Sequence, residues 1–339
     1  MKKLLSLVLA CAMCVSFAGC GSSEAADEGK KEEKQELKEI NLVLDWYPNG
    51  IHTFIYDAIE NGYYEEEGLK VNIQFPSNSN DALSLVAANK AELGMYYMND
   101  VISTRTNQDV PVKAIAAVIQ RPMNIFLSLK DKNITEPKDL EGKTIGYAGA
   151  ELNKAVTRYA IENAGGTYDD SLLMDVGFEL MSSMTTGQVD ATIGCMRYHE
   201  VPQMEKEGFE LNYFTTEDAG VPSLYEFVFI ANDKMIDEDP ETLKAFLRAS
   251  KKGYEDMKAD PEAALDMLLN NQNEENFPLD KEVETKSIET VLPVMAADGA
   301  PVFSMEKSVW EESINWLFDQ GIISEKQDAE EFMTTDLLP

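Results

Sequence analysis

The chain has 339 residues, with 61 acidic against 29 basic side chains and a formal net charge of −32. Such a surface repels nucleic acid and anionic lipid, and no basic stripe offsets it, so a nucleic-acid partner is excluded. Cys11 and Cys14 lie in the apolar N-terminal run, and with only His52 and His199 as histidines a zinc site would need distant carboxylates, so neither a metal nor a cofactor is expected.

The N-terminus opens with Met1-Lys2-Lys3 and an apolar run, Leu4–Phe17, too short to span a bilayer. This is the pattern of a secretory signal, residues 1–19, and Phe17-Ala18-Gly19-Cys20 resembles a bacterial lipobox. Cleavage before Cys20 and lipidation of its sulfur would hold the mature protein on the outer face of the cell membrane without a spanning helix. Losing Lys2 and Lys3 leaves a charge of −34, and Cys195 becomes the only thiol besides the anchor, so no internal disulfide is possible. Residues 20–39 read as the lipidated Cys and a disordered tether, because a Gly, Ser, Glu and Lys tract cannot bury a core.

Short apolar runs then alternate with helical patterns, the signature of an α/β fold with mainly parallel sheet. Strands are expected at Ile40–Leu44, Val71–Phe75, Glu92–Tyr96, Val112–Ile119, Ile125–Leu129, Thr144–Tyr147, Ala191–Gly194, Glu210–Phe214 and Glu226–Ala231. Helices are expected at Thr53–Asn61, Asp81–Asn89, Leu152–Asn163, Phe178–Thr186 and Tyr198–Glu207. After Asp239 only amphipathic helices follow: Pro240–Lys258, Pro261–Leu269, Lys281–Met295 and Met305–Gln320. About 300 residues are long for one core, so two lobes are expected. Breaks in the strand pattern at Lys130–Gly142 and Ala231–Lys234 suggest a discontinuous first lobe, 40–130 plus 230–339, and a second lobe, 131–229.

Polar and aromatic side chains gather where these strands end, the usual place for a ligand in open α/β sheets. Asp45, Trp46, Tyr47, Asn49 and His52 follow the first strand. Tyr96, Tyr97, Asn99 and Asp100 follow the third, where alternation predicts that one of the two tyrosines is core. Cys195, Arg197, Tyr198, His199 and Glu200 follow the strand at Ala191–Gly194, and Tyr225 and Glu226 open the returning strand. Gly149 would let backbone approach a ligand. Aromatic faces, amides and carboxylates with a single cation, Arg197, suit a flat cationic or neutral heteroaromatic ring. A carboxylate at Asp45, Glu200 or Glu226 could accept two adjacent N–H groups. His52 reads more readily as a brace than as a ligand contact.

Two segments add a family resemblance. L-D-W-Y-P-N-G-I-H at Leu44–His52 and G-Y-Y-E-E-E-G-L-K-V at Gly62–Val71 resemble the opening of ABC-transporter solute-binding proteins for thiamine-pyrimidine precursors. These belong to the wider group that also binds alkanesulfonates, taurine and nitrate. The resemblance implies a type II periplasmic-binding-protein fold, two α/β lobes joined by a two-crossing hinge with the ligand in the cleft between them. It also implies an extracytoplasmic, monomeric receptor for a small heteroaromatic ligand, with an ABC permease as its partner. The expected site residues are Asp45, Trp46, Asn49, His52, Tyr96, Tyr97, Gly149, Tyr198, Glu200, Tyr225 and Glu226. Riboflavin, or a sulfonate, taurine or nitrate, is the alternative ligand. An alternative of another class, a pyrimidine synthase, is disfavoured: where those enzymes carry a Schiff-base lysine and a sacrificial histidine, this chain has Tyr96 and Asp100.

Overall fold

The computed structural model describes residues 36–149, 151–272 and 278–339, so the expected signal peptide, Cys20 and most of the tether lie outside the described residues. Two five-stranded sheets organise the rest. The first is built from β1 (Lys38–Val43), β2 (Leu69–Gln74), β3 (Leu93–Tyr97), β4 (Val112–Ile119) and β10 (Phe227–Asn232), in the order β2-β1-β3-β10-β4. The second is built from β5 (Asn124–Leu129), β6 (Ile145–Tyr147), β7 (Leu173–Asp175), β8 (Ala191–Met196) and β9 (Leu211–Thr215), in the order β7-β6-β8-β5-β9. This is the expected α/β plan of two lobes.

Several expectations need correction. β1 starts at Lys38, inside the expected tether, because Lys38 and Glu39 pair with Leu69 and Lys70 of β2. The sheets are mixed rather than mainly parallel: β10 runs antiparallel to β3 and β4, and β5 runs antiparallel to β8 and β9. These are the two strands on which the chain enters a new sheet. The expected lobe boundaries also shift, because β5 belongs to the second sheet and all of β10 to the first. The chain passes between sheets at 120–123 and again at 216–226. The polar stretch at Lys130–Gly142 is a surface loop with two short 3-10 turns inside the second lobe. Composition marks exposure, and an exposed loop and a hinge look alike in composition.

Burial explains the strands. Every residue of β10, F-V-F-I-A-N, is buried, as fits a strand covered on both faces. β4 lies at a sheet edge yet is almost wholly buried, because single bridges from Ala114 to Met333 and from Ala117 to Phe303 cover it with the C-terminal region. That cover removes an exposed edge that would otherwise invite pairing.

The helices are α1 (Thr53–Glu60), α2 (Tyr63–Glu66), α3 (Asp81–Ala87), α4 (Met98–Gln108), α5 (Glu151–Asn163), α6 (Leu180–Thr185), α7 (Glu200–Lys206), α8 (Asp233–Glu238), α9 (Pro240–Ala259), α10 (Pro261–Asn270), α11 (Lys281–Met295) and α12 (Lys307–Asp319). α4 was not expected. Its sequence, M-N-D-V-I-S-T-R-T-N-Q, is polar and only weakly amphipathic, so packing against β3 and β4 rather than propensity holds it.

The two crossing segments are tied together by one side chain. Glu226 Oε2 accepts hydrogen bonds from the backbone N–H groups of Met123 (2.6 Å) and Asn124 (2.9 Å). Gln120 anchors the outgoing segment, donating to Pro301 O (2.9 Å) and accepting from Ala297 N (2.9 Å). Away from the hinge the lobes also touch. Lys206 at the end of α7 pairs with Asp280 beside α11, and Arg158 of α5 donates to Gln320 O at 2.9 Å.

Candidate functional site

A cavity of about 80 Å³ lies between the two sheets, next to the hinge. The first lobe supplies Asp45 and Trp46 from the exit of β1, Tyr96 and Tyr97 from the end of β3, and Asn99 and Asp100 from the first turn of α4. The second lobe supplies Asn124, Gly194 and Met196 from its strands and Leu152, Asn153 and Val156 from α5. The returning crossing closes the floor with Thr216, Val221, Leu224 and Glu226.

The charge of this lining is one-sided. Asp45, Asp100 and Glu226 are carboxylates, and no Lys, Arg or His is among the lining residues. Arg197, the cation expected near the site, is not among them either; its backbone N–H bonds Met123 O at 2.9 Å. Burial, followed by the nearby Glu226 charge, pushes the Asp100 carboxyl up to about 7. Burial likewise raises Glu226 to about 7, against the lowering effect of the two backbone N–H groups it accepts. Burial and neighbouring carboxylates hold the Tyr97 phenol well above its ordinary range, so it stays protonated and able to donate. Asn99 is 4% exposed and its Oδ1 has no hydrogen-bond partner among the described residues. A buried acceptor left open costs roughly 1–3 kcal/mol, so it calls for a donor from a bound molecule or water.

Asp45 is held rather than free. His52 Nδ1 accepts the Asn49 backbone N–H at 3.2 Å, which leaves the proton on Nε2, and Nε2 donates to Asp45 Oδ1 at 2.9 Å. Asn49 caps the short 3-10 turn Gly50–His52, its Oδ1 accepting from Ile51 N at 3.1 Å. The turn is also pinned from α11, where Glu284 Oε2 accepts from Gly50 N at 2.6 Å. The motif D-W-Y-P-N-G-I-H is thus a self-bracing turn: Asn49 and His52 build it, and Asp45 and Trp46 are presented by it.

The expected residues therefore divide. Asp45, Trp46, Tyr96, Tyr97 and Glu226 are brought together on the cavity wall. Both tyrosines of β3 reach it, contrary to simple alternation, because the strand ends at Tyr97 and the chain turns at once into α4. Tyr96 donates to Asn80 Oδ1 at 2.9 Å, and its ring meets Tyr97 edge-on at 5.3 Å. Asn49, His52, Tyr198, Glu200, Tyr225 and Gly149 do not line the cavity. Tyr198 is buried behind it, close enough to the Asp45 charge for its phenol to be held further up. Glu200 caps its own loop, accepting from Met196 N at 2.6 Å. Tyr225 is buried away from the cavity lining, and its hydroxyl accepts from Glu306 N at 2.8 Å. Gly149 sits at the mouth of the cleft, where a Cβ would come within 3.2 Å of Ser79 Oγ from the other lobe.

The lining also includes residues that the sequence reading did not select. Asn99 and Asp100 stood in a cluster but were passed over, while Asn80, Asn124, Asn153 and Gly194 stood in none. Gly194, at φ +110°, donates its N–H to Asn124 Oδ1 at 2.9 Å, and that contact fixes the Asn124 amide at the wall. A glycine within a strand was the one available signal.

Known proteins resemble this chain in sequence and in fold. The chain is 40% identical over 328 residues to a formylaminopyrimidine-binding protein of Halalkalibacterium halodurans, covering 95% of this chain and 96% of that one. It is 29% identical over 232 residues to a 4-amino-5-hydroxymethyl-2-methylpyrimidine phosphate synthase of Saccharomyces cerevisiae, covering 66% and 68%. Its fold is similar to that of the alkanesulfonate-binding protein SsuA from Xanthomonas axonopodis pv. citri bound to MOPS, with a TM-score of 0.68 over 88% of this chain and 99% of that one, at 11% identity. The family model described as NMT1/THI5 like matches residues 49–264, and the chain belongs to that family.

Proposed function

We propose that this protein is the extracytoplasmic receptor of an ABC importer and captures an aminopyrimidine precursor of thiamine in the cavity between its lobes. The carrying observation is the lining itself, in which three carboxylates, an unpartnered amide oxygen and aromatic rings meet no cationic side chain. An aminopyrimidine, protonated on its ring, presents adjacent N–H donors along one edge and an apolar face. Asp45 accepts the donor edge as a charge-assisted pair, and His52 keeps its carboxylate oriented. Trp46 and the β3 tyrosines offer faces and edges for the ring. The relative whose name gives a formylaminopyrimidine as its ligand supports the same reading.

Competing ligands fit less well. A sulfonate or nitrate wants Arg, Lys or converging backbone N–H groups, whereas this cavity would repel it. Riboflavin, a neutral fused tricycle, brings no cationic donor edge to a wall of three carboxylates. An enzyme related to the pyrimidine synthases would need an amine for a Schiff base, and the lining offers none: Tyr96 is bonded to Asn80, and Asp100 is a buried acid. Lobe closure would assemble both halves of the site around the ligand. Lipid on Cys20 would keep the receptor beside its permease.

Calorimetric titration of the purified protein tests this. We expect tight binding to an aminopyrimidine and none to taurine, an alkanesulfonate, nitrate or riboflavin. Binding of a sulfonate with no response to any aminopyrimidine would overturn the ligand assignment.

A further inference from the structure

The second lobe reaches the first through an aromatic side chain that lies outside the cavity lining. Phe178 stands on the turn that follows β7. Glu179 N donates to Val176 O at 2.9 Å across this turn, and Gly177 N donates to Asp175 Oδ1 at 3.0 Å. Gly177 adopts φ +52°, a left-handed conformation that costs glycine little and points the next residue across the cleft. The Phe178 ring centroid lies 4.5 Å from Trp46 at 72° and 5.7 Å from Tyr47 at 53°. Tyr47 in turn meets Phe75 at 6.2 Å, and Phe75 is 46% exposed. A row of aromatic rings thus runs from the cavity wall to solvent, with every ring but Phe178 carried by the first lobe. Trp46 belongs to both the cavity lining and this row.

We infer that Phe178 is a positioning residue that fixes the Trp46 indole against a bound ring only when the lobes are closed, so that ligand stacking and closure become one event. The inference rests on reading the cavity as the ligand site. If the second lobe swings away, Phe178 leaves with it, and among the described residues Trp46 keeps Tyr47 at 6.2 Å as its aromatic neighbour. Entry precedes that contact, whereas escape requires it to break. Phe178 therefore acts mainly on the rate of release.

The test uses Phe178→Ala, with Phe178→Tyr as the conservative variant and Phe178→Leu in case the alanine variant folds poorly. Acrylamide quenching of tryptophan fluorescence, measured with and without ligand, reports on Trp46, because Trp310 and Trp316 are buried; Trp46→Phe is the control. Stopped-flow binding of 4-amino-5-hydroxymethyl-2-methylpyrimidine supplies the second readout. We expect Phe178→Ala to raise the release rate about tenfold, the scale of an aromatic pair, and to raise quenching of the ligand-bound protein while leaving that of the empty protein unchanged, with little change in the association rate or melting temperature. Phe178→Tyr should restore both readouts, and Phe178→Leu should fall between. Unchanged quenching of the ligand-bound protein together with an unchanged release rate overturns the inference. If the wild type does not bind this pyrimidine, the proposed ligand fails on its own account, and the same comparison with whichever titrated ligand does bind decides the role of Phe178; a wild type that binds none of them overturns both readings.

Discussion

The two lobes face one cavity but bring different chemistry to it. The first lobe and the returning crossing supply every carboxylate on its wall, Asp45, Asp100 and Glu226, and all of its aromatic rings. The second lobe supplies the amides of Asn124 and Asn153 and the apolar surface of Ala148, Leu152, Val156 and Met196. One side selects by charge and shape, and the other encloses. Such a division lets a ligand dock on the charged side while the cleft is open and gain its remaining contacts on closure.

Substitutions on the charged side should cost the most. Asp45→Asn removes half of the proposed donor-edge pair and should weaken aminopyrimidine binding by about 1.5–3 kcal/mol, the scale of a charged hydrogen bond, read by calorimetry. An unchanged dissociation constant would strip Asp45 of that role. Trp46→Ala should lose roughly 2 kcal/mol of binding through stacking and buried area, with the melting temperature of the empty protein nearly unchanged. A variant that unfolds would make Trp46 part of the core instead.

Asp100 separates recognition from stability. Asp100 and Glu226 hold their protons more tightly in the folded chain than when exposed, both rising to about 7. A raised carboxyl adds stability that is complete below its unfolded pKa and is lost as pH rises through the folded value. Thermal unfolding of the empty protein should therefore show a falling melting temperature between about pH 4 and pH 7. Asp100→Asn should flatten that slope and stabilise the empty protein at pH 8, while weakening aminopyrimidine binding. A steeper slope in the variant would contradict the assignment of the buried charge.

The enclosing side should respond least. Asn153→Ala should cost under about 1 kcal/mol of binding, as expected for a neutral hydrogen bond near a mostly apolar surface. A loss as large as that of Asp45→Asn would erase the contrast between the lobes.

Much of the first lobe was legible in the sequence because its signals are local. The turn at Asp45–His52 braces itself within eight residues, so its motif carried both the resemblance and the selection of Asp45 and Trp46, which line the cavity. β7 was missed because two half-buried residues and an exposed aspartate make no hydrophobic period. α4 was missed because its polar sequence is held by neighbours. Tyr225 and Glu226 show the limit most clearly: adjacent in the chain, one caps a distant helix start at Glu306 and the other clasps the hinge.

By itself the sequence determined the alternation of strands and helices, the two-lobe plan and the turn that presents Asp45 and Trp46, since each follows from local period or short-range hydrogen bonding. The tertiary structure alone decided where the chain changes sheets, that Asp100 and Glu226 share one buried space, and that Asn99 Oδ1 has no partner among the described residues. Those facts depend on which surfaces meet across the cleft, and burial raises an ordinary carboxyl to about 7 only once two distant segments exclude water around it.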